Sequence, residues 1–276
     1  MRHNGLRVYI EQVMALMRAP HMRGPSRATP WRIELLGSLR ARRGRIYVTR
    51  FRTRRAALLL ARLTLHPRSH RRDELVAMFW PGVDFNAGRQ SLSQALSELR
   101  RQLDPEILRA NHDTVCLASE RFSSDVGDFE RALAAAHAAS GPARIAALER
   151  GIAVSTAPLL PGVAYEWAVS ARERIMAETD AMLRELSEHY EQSGELVTAF
   201  EYAFRRVRID PFDEEAHREL VRLYERTGRP LAALAHLRDL EHELERDLGV
   251  APDAETRAMA EALRERLLAL KGEPVA

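Results

Sequence analysis

Residues 51–103 contain three segments with helical apolar spacing that alternate with turn-forming stretches, and this arrangement restricts the fold more than any other feature of the chain. The turn signals are HPRSHRR at 66–72 and WPGVDFN at 80–86. The pattern therefore predicts three short helices, with expected bounds of about 53–65, 72–79 and 87–103. Three short helices joined by tight turns, the last of them with a polar face, are typical of a helix-turn-helix unit.

The third predicted helix divides into an apolar stripe and a polar face. At about 100° per residue, the apolar residues that share one side are Leu92, Leu96, Leu99 and Leu103. The residues expected to lie opposite the stripe or beside it are Arg89, Gln90, Ser93, Gln94, Ser97, Arg100 and Arg101. Gln, Ser and Arg can pair with base edges in the major groove, and a flanking Arg can reach phosphate. An ordinary solvated helix face is the alternative interpretation.

Apolar runs on both sides of the three helices predict β-strands. Residues 31–35 alternate apolar and polar side chains, and the run 46–48 follows a turn, so the two predict a small antiparallel sheet. Behind the third helix, 107–110 and 114–117 flank an Asn-His-Asp turn, which predicts a β-hairpin. A hairpin in this position is a wing, and it would carry Arg109 and His112 toward the DNA backbone or minor groove.

Charge is unevenly distributed along the 276 residues, although the net charge is only +3. Residues 31–118 carry a net +9, residues 1–30 a net +4 and residues 119–276 a net −10. This division predicts a basic module that meets phosphate, with Arg54 and Arg55 among its contacts, and an acidic module with another task. A general preference for arginine, in a chain whose single lysine is Lys271, is the alternative explanation.

Composition and motifs argue against several classes of protein. The single cysteine, Cys116, excludes an internal disulfide and a multi-cysteine metal site, which fits a cytoplasmic location. No run approaches 18 apolar residues, so no membrane span is expected. The chain lacks G-x-x-x-x-G-K-[ST], G-x-S-x-G and H-E-x-x-H motifs, and Pro67 separates His66 from His70. We therefore expect no enzyme activity, no cofactor and no metal.

From Asp125 onward the apolar spacing is helical almost throughout, with a long helix predicted over about 166–192. A spacing of 34 residues pairs Leu186 with Leu220, Tyr190 with Tyr224, Gly194 with Gly228 and Ala199 with Ala233. A Tyr-x-x-x-Gly step followed by a small residue is typical of tetratricopeptide repeats, which stack into a superhelix with a concave surface. We expect this half to bind protein or to self-associate. A helical bundle without a partner is the alternative.

The order of these parts resembles the SARP family of bacterial transcriptional activators, also called AfsR-type regulators, over about residues 31–270. The segments that carry the resemblance are 51–84, 88–103, 125–133 and 210–256. In that family an OmpR-like winged helix precedes a helical bacterial transcriptional activator domain (BTAD). The expected fold is therefore mainly α: a winged helix-turn-helix domain over 31–118 and an all-α, tetratricopeptide-like domain over 119–276. Residues 1–30 are expected to form an arm, either loose or as a short helix.

The resemblance implies a sequence-specific DNA-binding regulator that acts as an activator. It would bind direct repeats near promoters as a homodimer or higher assembly and help to recruit RNA polymerase. Family members often carry a basic residue where this chain has Ser93 and Glu98, which implies weaker phosphate or guanine contacts here. These two departures motivate a second hypothesis, a protein-interaction scaffold that uses the tetratricopeptide groove and whose winged helix has lost DNA binding.

Overall fold

The computed structural model describes residues 29–272, with side chains up to residue 269. Of the arm expected over 1–30, all but the last two residues therefore lie outside the described part. Contacts divide the chain into two compact units. The first holds the described residues up to 35 and residues 39–125, and the second holds 36–38 and the residues from 126 onward. All the named strands of the described chain belong to the first unit.

The first unit combines two small sheets with three helices. Its elements in chain order are β1 (Trp31–Glu34), β2 (Arg40–Arg43), β3 (Ile46–Val48), α1 (Arg54–Leu65), β4 (His70–Arg71), α2 (Arg72–Phe79), α3 (Phe85–Gln102), β5 (Leu108–Ala110), β6 (Thr114–Leu117), a 3-10 turn (Ser119–Arg121) and β7 (Phe122–Ser124). One sheet has the order β3-β2-β1-β7, and the other has the order β4-β6-β5. The expected strands and wing are present, but β1 and β3 do not pair with each other, because β2 lies between them and pairs antiparallel with both. β4 and β7 are further strands that the sequence did not indicate.

The pairing of β7 extends the first unit beyond the wing. β1 pairs antiparallel with β2 and parallel with β7, with Trp31 opposite Phe122. The carboxylate of Asp125, at the start of the next helix, accepts hydrogen bonds of 2.9 and 2.8 Å from the backbone N–H of Leu35. Residues 119–125, which the sequence analysis assigns to the second domain, thus lie in the first compact unit. The predicted domain bounds of 31–118 and 119–276 stay a prediction.

The three helices lie close to their expected bounds, and α1 and α3 begin at side-chain caps. Thr53 accepts a hydrogen bond from the N–H of Ala56 at 3.1 Å, and Asp84 caps α3 in the same way. The buried surface of α1 covers most of the helix rather than one stripe. Ala57 and Leu65 are only half-buried, whereas the residues that are buried are Ala56, Leu58, Leu59, Leu60, Ala61, Leu63 and Thr64. The reason is that α1 packs against α2, α3 and β6 together.

The third helix packs very closely on the second where Gly88 faces Val76. A Cβ placed on Gly88 would lie 2.5 Å from Cγ1 of Val76, well inside van der Waals contact. The predicted stripe on α3 is buried: Leu92, Leu96 and Leu99 are at most 1% exposed, and Leu103 is also buried. Close packing at Gly88 and burial of the stripe together hold α3 in one rotational setting.

The second unit is a succession of helices. They are α4 (Asp125–Ala138), α5 (Gly141–Val154), α6 (Glu166–Gln192), α7 (Leu196–Ile209), α8 (Glu214–Arg226), α9 (Pro230–Leu248) and α10 (Ala254–Gly272). The repeated positions adopt matching conformations. Gly194 and Gly228 have φ of 84° and 72°. In each turn the N–H that follows the glycine donates to the tyrosine carbonyl of the repeat at 2.8 Å. Ala199 and Ala233 are fully buried where the next helix begins.

A buried guanidinium connects three of these helices. Arg206 on α7 donates to Asp180 on α6 at 2.8 and 3.1 Å, to Asp213 at 3.3 Å and to Glu219 on α8. Burial by itself would lower the pKa of Arg206. The bonds to Asp180 and Glu219 outweigh that effect and raise it above the ordinary value. Arg206 is therefore a permanent cation inside the unit, and its charge is met by three carboxylates.

Two histidines stack between α8 and α9. Nδ1 of His217 lies 2.9 Å from Nε2 of His236, and Nε2 of His217 lies 3.0 Å from the carbonyl oxygen of Pro211. Since that oxygen only accepts, His217 carries its proton on Nε2, and its Nδ1 accepts from His236. Burial lowers the pKa of both rings, and that of His236 falls to about 4. In the folded protein the imidazole rings of His217 and His236 are therefore both neutral.

Replacement of Gly88 with Ala is expected to lower the free energy of unfolding by about 1 kcal/mol. Overpacking costs roughly 1–3 kcal/mol, which outweighs the gain of about 1 kcal/mol in helix propensity. Val76 cannot rotate away, because a β-branched side chain in a helix has one preferred rotamer. Urea denaturation should show that Gly88→Ala is harmless or stabilising once Val76→Ala has removed the clashing methyl. Equal effects in both backgrounds would contradict this account of the contact.

The second unit is expected to lose stability as the pH falls from 6.5 toward 4. Well above pH 6.5 the His236 ring is neutral in both states, so its contribution to stability does not change with pH. Below it the unfolded chain binds protons that folded His236, with a pKa of about 4, does not. The loss should be on the order of 2 kcal/mol by urea denaturation. His236→Phe should flatten this pH dependence, and His242→Gln, at an exposed position on α9, should retain it. A slope unchanged by His236→Phe would assign it to other groups.

Candidate nucleic-acid interface

The outward face of α3 is a row of exposed polar side chains opposite the buried leucine stripe. The members of this row, at positions i, i+4, i+7 and i+11, are Gln90, Gln94, Ser97 and Arg101, and Ser93 is exposed beside them. The residues predicted to face outward therefore do so. An α-helix fits into the major groove of B-DNA, and amide, hydroxyl and guanidinium groups on such a face can bond to base edges.

Arg89 and Arg100, which flank the stripe, were expected to extend away from the protein toward phosphate, and the structure differs from this expectation. Both are half-buried. Arg89 donates from Nη2 to the carbonyl oxygen of His112 at 3.1 Å, and Arg100 donates to that of Leu108 at 3.3 Å. Arg89 also lies 3.5 Å from Asp73. In this conformation the two side chains fasten α3 to the wing, and their contact with phosphate stays a prediction.

Arg72 completes this junction, and sequence reasoning missed it. Its Nε donates to the carbonyl oxygen of Asn111 at 2.9 Å, and its Nη1 donates to Oγ of Ser93 at 3.2 Å. Burial, followed by the charges of Arg89 and Arg100, lowers the pKa of Arg72. Three guanidinium groups thus converge between α3 and the wing. In the sequence, only the position of Arg72 directly after β4 could have indicated this role. β4 has two residues, which is too short for a strand periodicity to be recognised.

The two predicted contacts on the wing are exposed, and each is paired with a carboxylate. Arg109 on β5 bonds to Glu120, and Nδ1 of His112 donates to Asp113 at 2.7 Å. The hydrogen bond from His112 lowers the pKa of Asp113. The backbone N–H of Glu120 itself and the nearby Arg109 lower the pKa of the Glu120 carboxyl. A phosphate that approached the wing would compete with these two carboxylates.

The remaining predicted contacts lie at the start of α1. Arg54 and Arg55 are both exposed there, and the guanidinium of Arg55 lies 5.8 Å from the ring centroid of Trp80. Glu98, the acidic departure on α3, lies 3.4 Å from Nε of Arg52. A neighbouring cation that the sequence analysis did not single out therefore offsets the negative charge of Glu98.

The histidines after α1 serve the fold. His70 is buried, and its Nε2 donates to the carbonyl oxygen of His66 at 2.8 Å, while burial lowers its pKa.

Within residues 29–272 no group of three or more His, Cys, Asp or Glu side chains is arranged to hold a metal ion. Across the same residues, no helix combines the length and apolar character needed to cross a membrane. Cys116 is half-buried on β6.

Comparison with known proteins supports the predicted order of parts. Residues 124–264 match the family described as bacterial transcriptional activator domain. Among solved structures, the chain is similar to Mycobacterium tuberculosis EmbR in complex with a low affinity phosphopeptide. The sequence identity is 20%, the TM-score is 0.63, and the match covers 90% of this chain and 67% of the EmbR chain. Comparison with curated proteins gives no match. The predicted fold class, mainly α with small N-terminal sheets and a helical C-terminal domain, is confirmed.

Replacement of Arg72 with Met is expected to loosen the wing from α3. The substitution keeps the length of the side chain but removes its hydrogen bonds to Asn111 and Ser93, each with a net contribution of about 1 kcal/mol. Hydrogen exchange should become faster at the backbone amides of 108–117 and little changed in α1. Arg71→Met, at the neighbouring exposed position, is the matched control. Equal exchange in the two variants would show that Arg72 does not hold the junction.

Proposed function

Because this chain belongs to the bacterial transcriptional activator domain family, we propose that it is a transcriptional regulator that binds specific DNA sequences through its first unit. The observation that carries the proposal is the exposed polar row on α3, set opposite a buried stripe and beside a wing. In the proposed complex α3 lies in the major groove. Gln90, Gln94, Ser97 and Arg101 then meet base edges, and residues 31–118 act as the DNA-binding domain.

Basic side chains on both sides of α3 support the proposed docking. Arg54 and Arg55 lie exposed at the start of α1, and Arg109 and His112 lie exposed on the wing. Neutralisation of phosphate by such groups supplies most of the sequence-independent affinity for DNA. In the proposed complex Arg109 and His112 exchange their carboxylate partners for phosphate oxygens. The excess of +9 in residues 31–118 supports this exchange, because the surroundings favour an anion.

The second unit is proposed to act on other proteins in the bacterial cytoplasm. By resemblance to SARP regulators, the protein would be an activator that binds direct repeats near promoters as a homodimer or higher assembly. It would then help to recruit RNA polymerase. The family match over residues 124–264 and the stacked helix pairs of this unit support a protein-binding role for 119–276.

A protein-interaction scaffold is the second candidate function, and specific contacts favour it. Two of the charges near the proposed DNA surface are internally matched, Arg109 by Glu120 and Arg52 by Glu98, and His112 is hydrogen-bonded to Asp113. In this alternative the winged helix has lost DNA binding, and the tetratricopeptide-like unit carries the function. The two candidates differ in whether the full chain has salt-sensitive affinity for DNA.

Substitutions on α3 and α1 should affect DNA binding in different ways. Gln94→Ala and Arg101→Ala should each cost about 1–3 kcal/mol at the cognate site and relax the base preference there. Arg54→Ala and Arg55→Ala should weaken binding evenly across sequences and reduce the salt slope by about one unit each. Genome-wide footprinting identifies the site, and fluorescence anisotropy of the full chain at several salt concentrations gives the affinities.

Arg222→Ala serves as the control, because Arg222 is exposed on α8 in the second unit. The affinity of this variant for DNA and its salt slope should equal those of the unmodified protein. Binding without preference over random DNA at about 150 mM salt, combined with a salt slope near zero, would contradict the regulator proposal. That result, together with recovery of a stoichiometric protein partner by the full chain, would support the scaffold.

A further inference from the structure

A cavity of about 210 Å³ lies in the second unit, where the end of α5, the middle of α6 and the end of α7 meet. Its apolar wall comes from Ile175 and Met176 on α6 and from Ile209 on α7. Two arginines of α7, Arg205 and Arg208, line the same space. The cavity therefore combines an apolar wall with two cations, and no described residue that lines it is acidic.

The two guanidinium groups have hydrogen-bonding capacity to spare. Arg205 donates from Nη2 to the carbonyl oxygen of Ile152 at 3.2 Å, and Arg208 is exposed. Within the described part of the chain, neither side chain forms an ion pair with a carboxylate. This contrasts with Arg144 and Arg206 of the same unit, which are held by carboxylates. Residues 119–276 carry a net −10, yet no described residue that lines this cavity is acidic, so an anion there would not meet a carboxylate.

Three residues with hydroxyl groups line the cavity, and the hydroxyls of Ser155 and Thr179 are hydrogen-bonded internally, whereas Thr156 is exposed. Thr179 donates from Oγ1 to the carbonyl oxygen of Ile175 at 2.7 Å. Oγ of Ser155 lies 2.9 Å from Oγ1 of Thr179, and since the proton of Thr179 is already used, Ser155 is the donor. These hydroxyl protons are not available to a ligand. A negative group in the cavity would therefore be met by Arg205 and Arg208, with the hydroxyl of Thr156 as a further donor.

We propose that this cavity binds a small organic anion, with its carboxylate or phosphate monoester head between Arg205 and Arg208 and its apolar body against Ile175, Met176 and Ile209. Guanidinium groups bind both kinds of head through paired, charge-assisted hydrogen bonds. A dry apolar cavity of about 150 Å³ holds a benzene ring, so 210 Å³ accommodates one ring with an anionic substituent. The proposal is independent of DNA binding, because every residue involved belongs to the second unit.

The probes are phenyl phosphate and benzoate, with inorganic phosphate and phenol as partial ligands that lack the apolar body or the charge. The full chain, labelled with 13C at its methionine methyl groups, is titrated with each probe and followed by NMR and calorimetry. Phenyl phosphate or benzoate should produce a saturable shift of the Met176 methyl and bind at least about tenfold more tightly than either partial ligand. Met182, which packs beside Gly151 in the core, is the internal reference.

Two substitutions and a control test the assigned residues. Arg208→Gln and Arg205→Gln should each weaken binding of the preferred probe about tenfold or more. The side chain of Arg208 makes no hydrogen bond or ion pair within the described residues and is exposed. Its substitution should therefore leave the melting temperature unchanged even if Arg205→Gln lowers it. Arg222→Gln, an exposed arginine on α8 away from the cavity, should keep the affinity within about twofold.

Several outcomes would overturn the proposal. One is the absence of a Met176 shift with either anion up to about 10 mM. Another is equal affinity for phenyl phosphate and inorganic phosphate, which would indicate a general response of surface cations. Equal affinity for phenol would show that the arginines contribute nothing. Undiminished binding by Arg208→Gln would place the ligand elsewhere.

If the proposal holds, a tighter complex with phenyl phosphate than with benzoate, or the reverse, would identify the preferred head group.

Discussion

Burial of a single leucine stripe on α3 governs what the first unit presents to solvent. Leu92, Leu96 and Leu99 are at most 1% exposed, so a helix of 3.6 residues per turn must place the opposite positions outside. Each buried leucine contributes roughly 1.5–3 kcal/mol, which exceeds the contribution of a typical surface contact. Gly88 allows α2 to pack closely against the same helix. The bonds of Arg89 and Arg100 to the wing then add to a rotational orientation of α3 that this apolar packing has already determined. Apolar packing therefore selects the polar groups that an approaching partner meets.

The second unit depends on a different constraint, a tight turn that recurs at a fixed interval. Gly194 and Gly228 have positive φ, a conformation that residues with a Cβ rarely adopt, and equivalent hydrogen bonds close both turns. The buried charge network is not part of this repeat. The position one repeat of 34 residues after Arg206 is Leu240, which is equally buried. The stacked geometry thus accommodates either an ion-pair network or a leucine at this position, which agrees with the small net difference between such alternatives in protein interiors.

Elements with a strong apolar period could be predicted from sequence, and those set by tertiary contacts could not. The long helix α6 and the outward row of α3 follow from spacing alone. β2 escaped prediction because Arg40–Arg43 contains one buried residue, Ala41, among arginines, and neighbouring strands provide its hydrogen bonds. The positions of Arg89 and Arg100 were correctly placed beside the stripe. Their bonds to wing carbonyls depend on a hairpin that is distant in sequence, and side-chain direction of that kind is not encoded in helical spacing.

The guanidinium groups between α3 and the wing are fixed mainly by neutral carbonyl oxygens. Arg72 and Arg100 bond to backbone oxygens of Asn111 and Leu108, so their orientation is held without cancellation of their charge. Uncompensated charge at a rigid site generates a long-range field, which accelerates the diffusional encounter of a polyanion with this face. Such electrostatic steering decreases as the Debye length shortens. If the proposed DNA binding holds, the junction that stiffens the wing would thereby also make the rate of association with DNA sensitive to ionic strength.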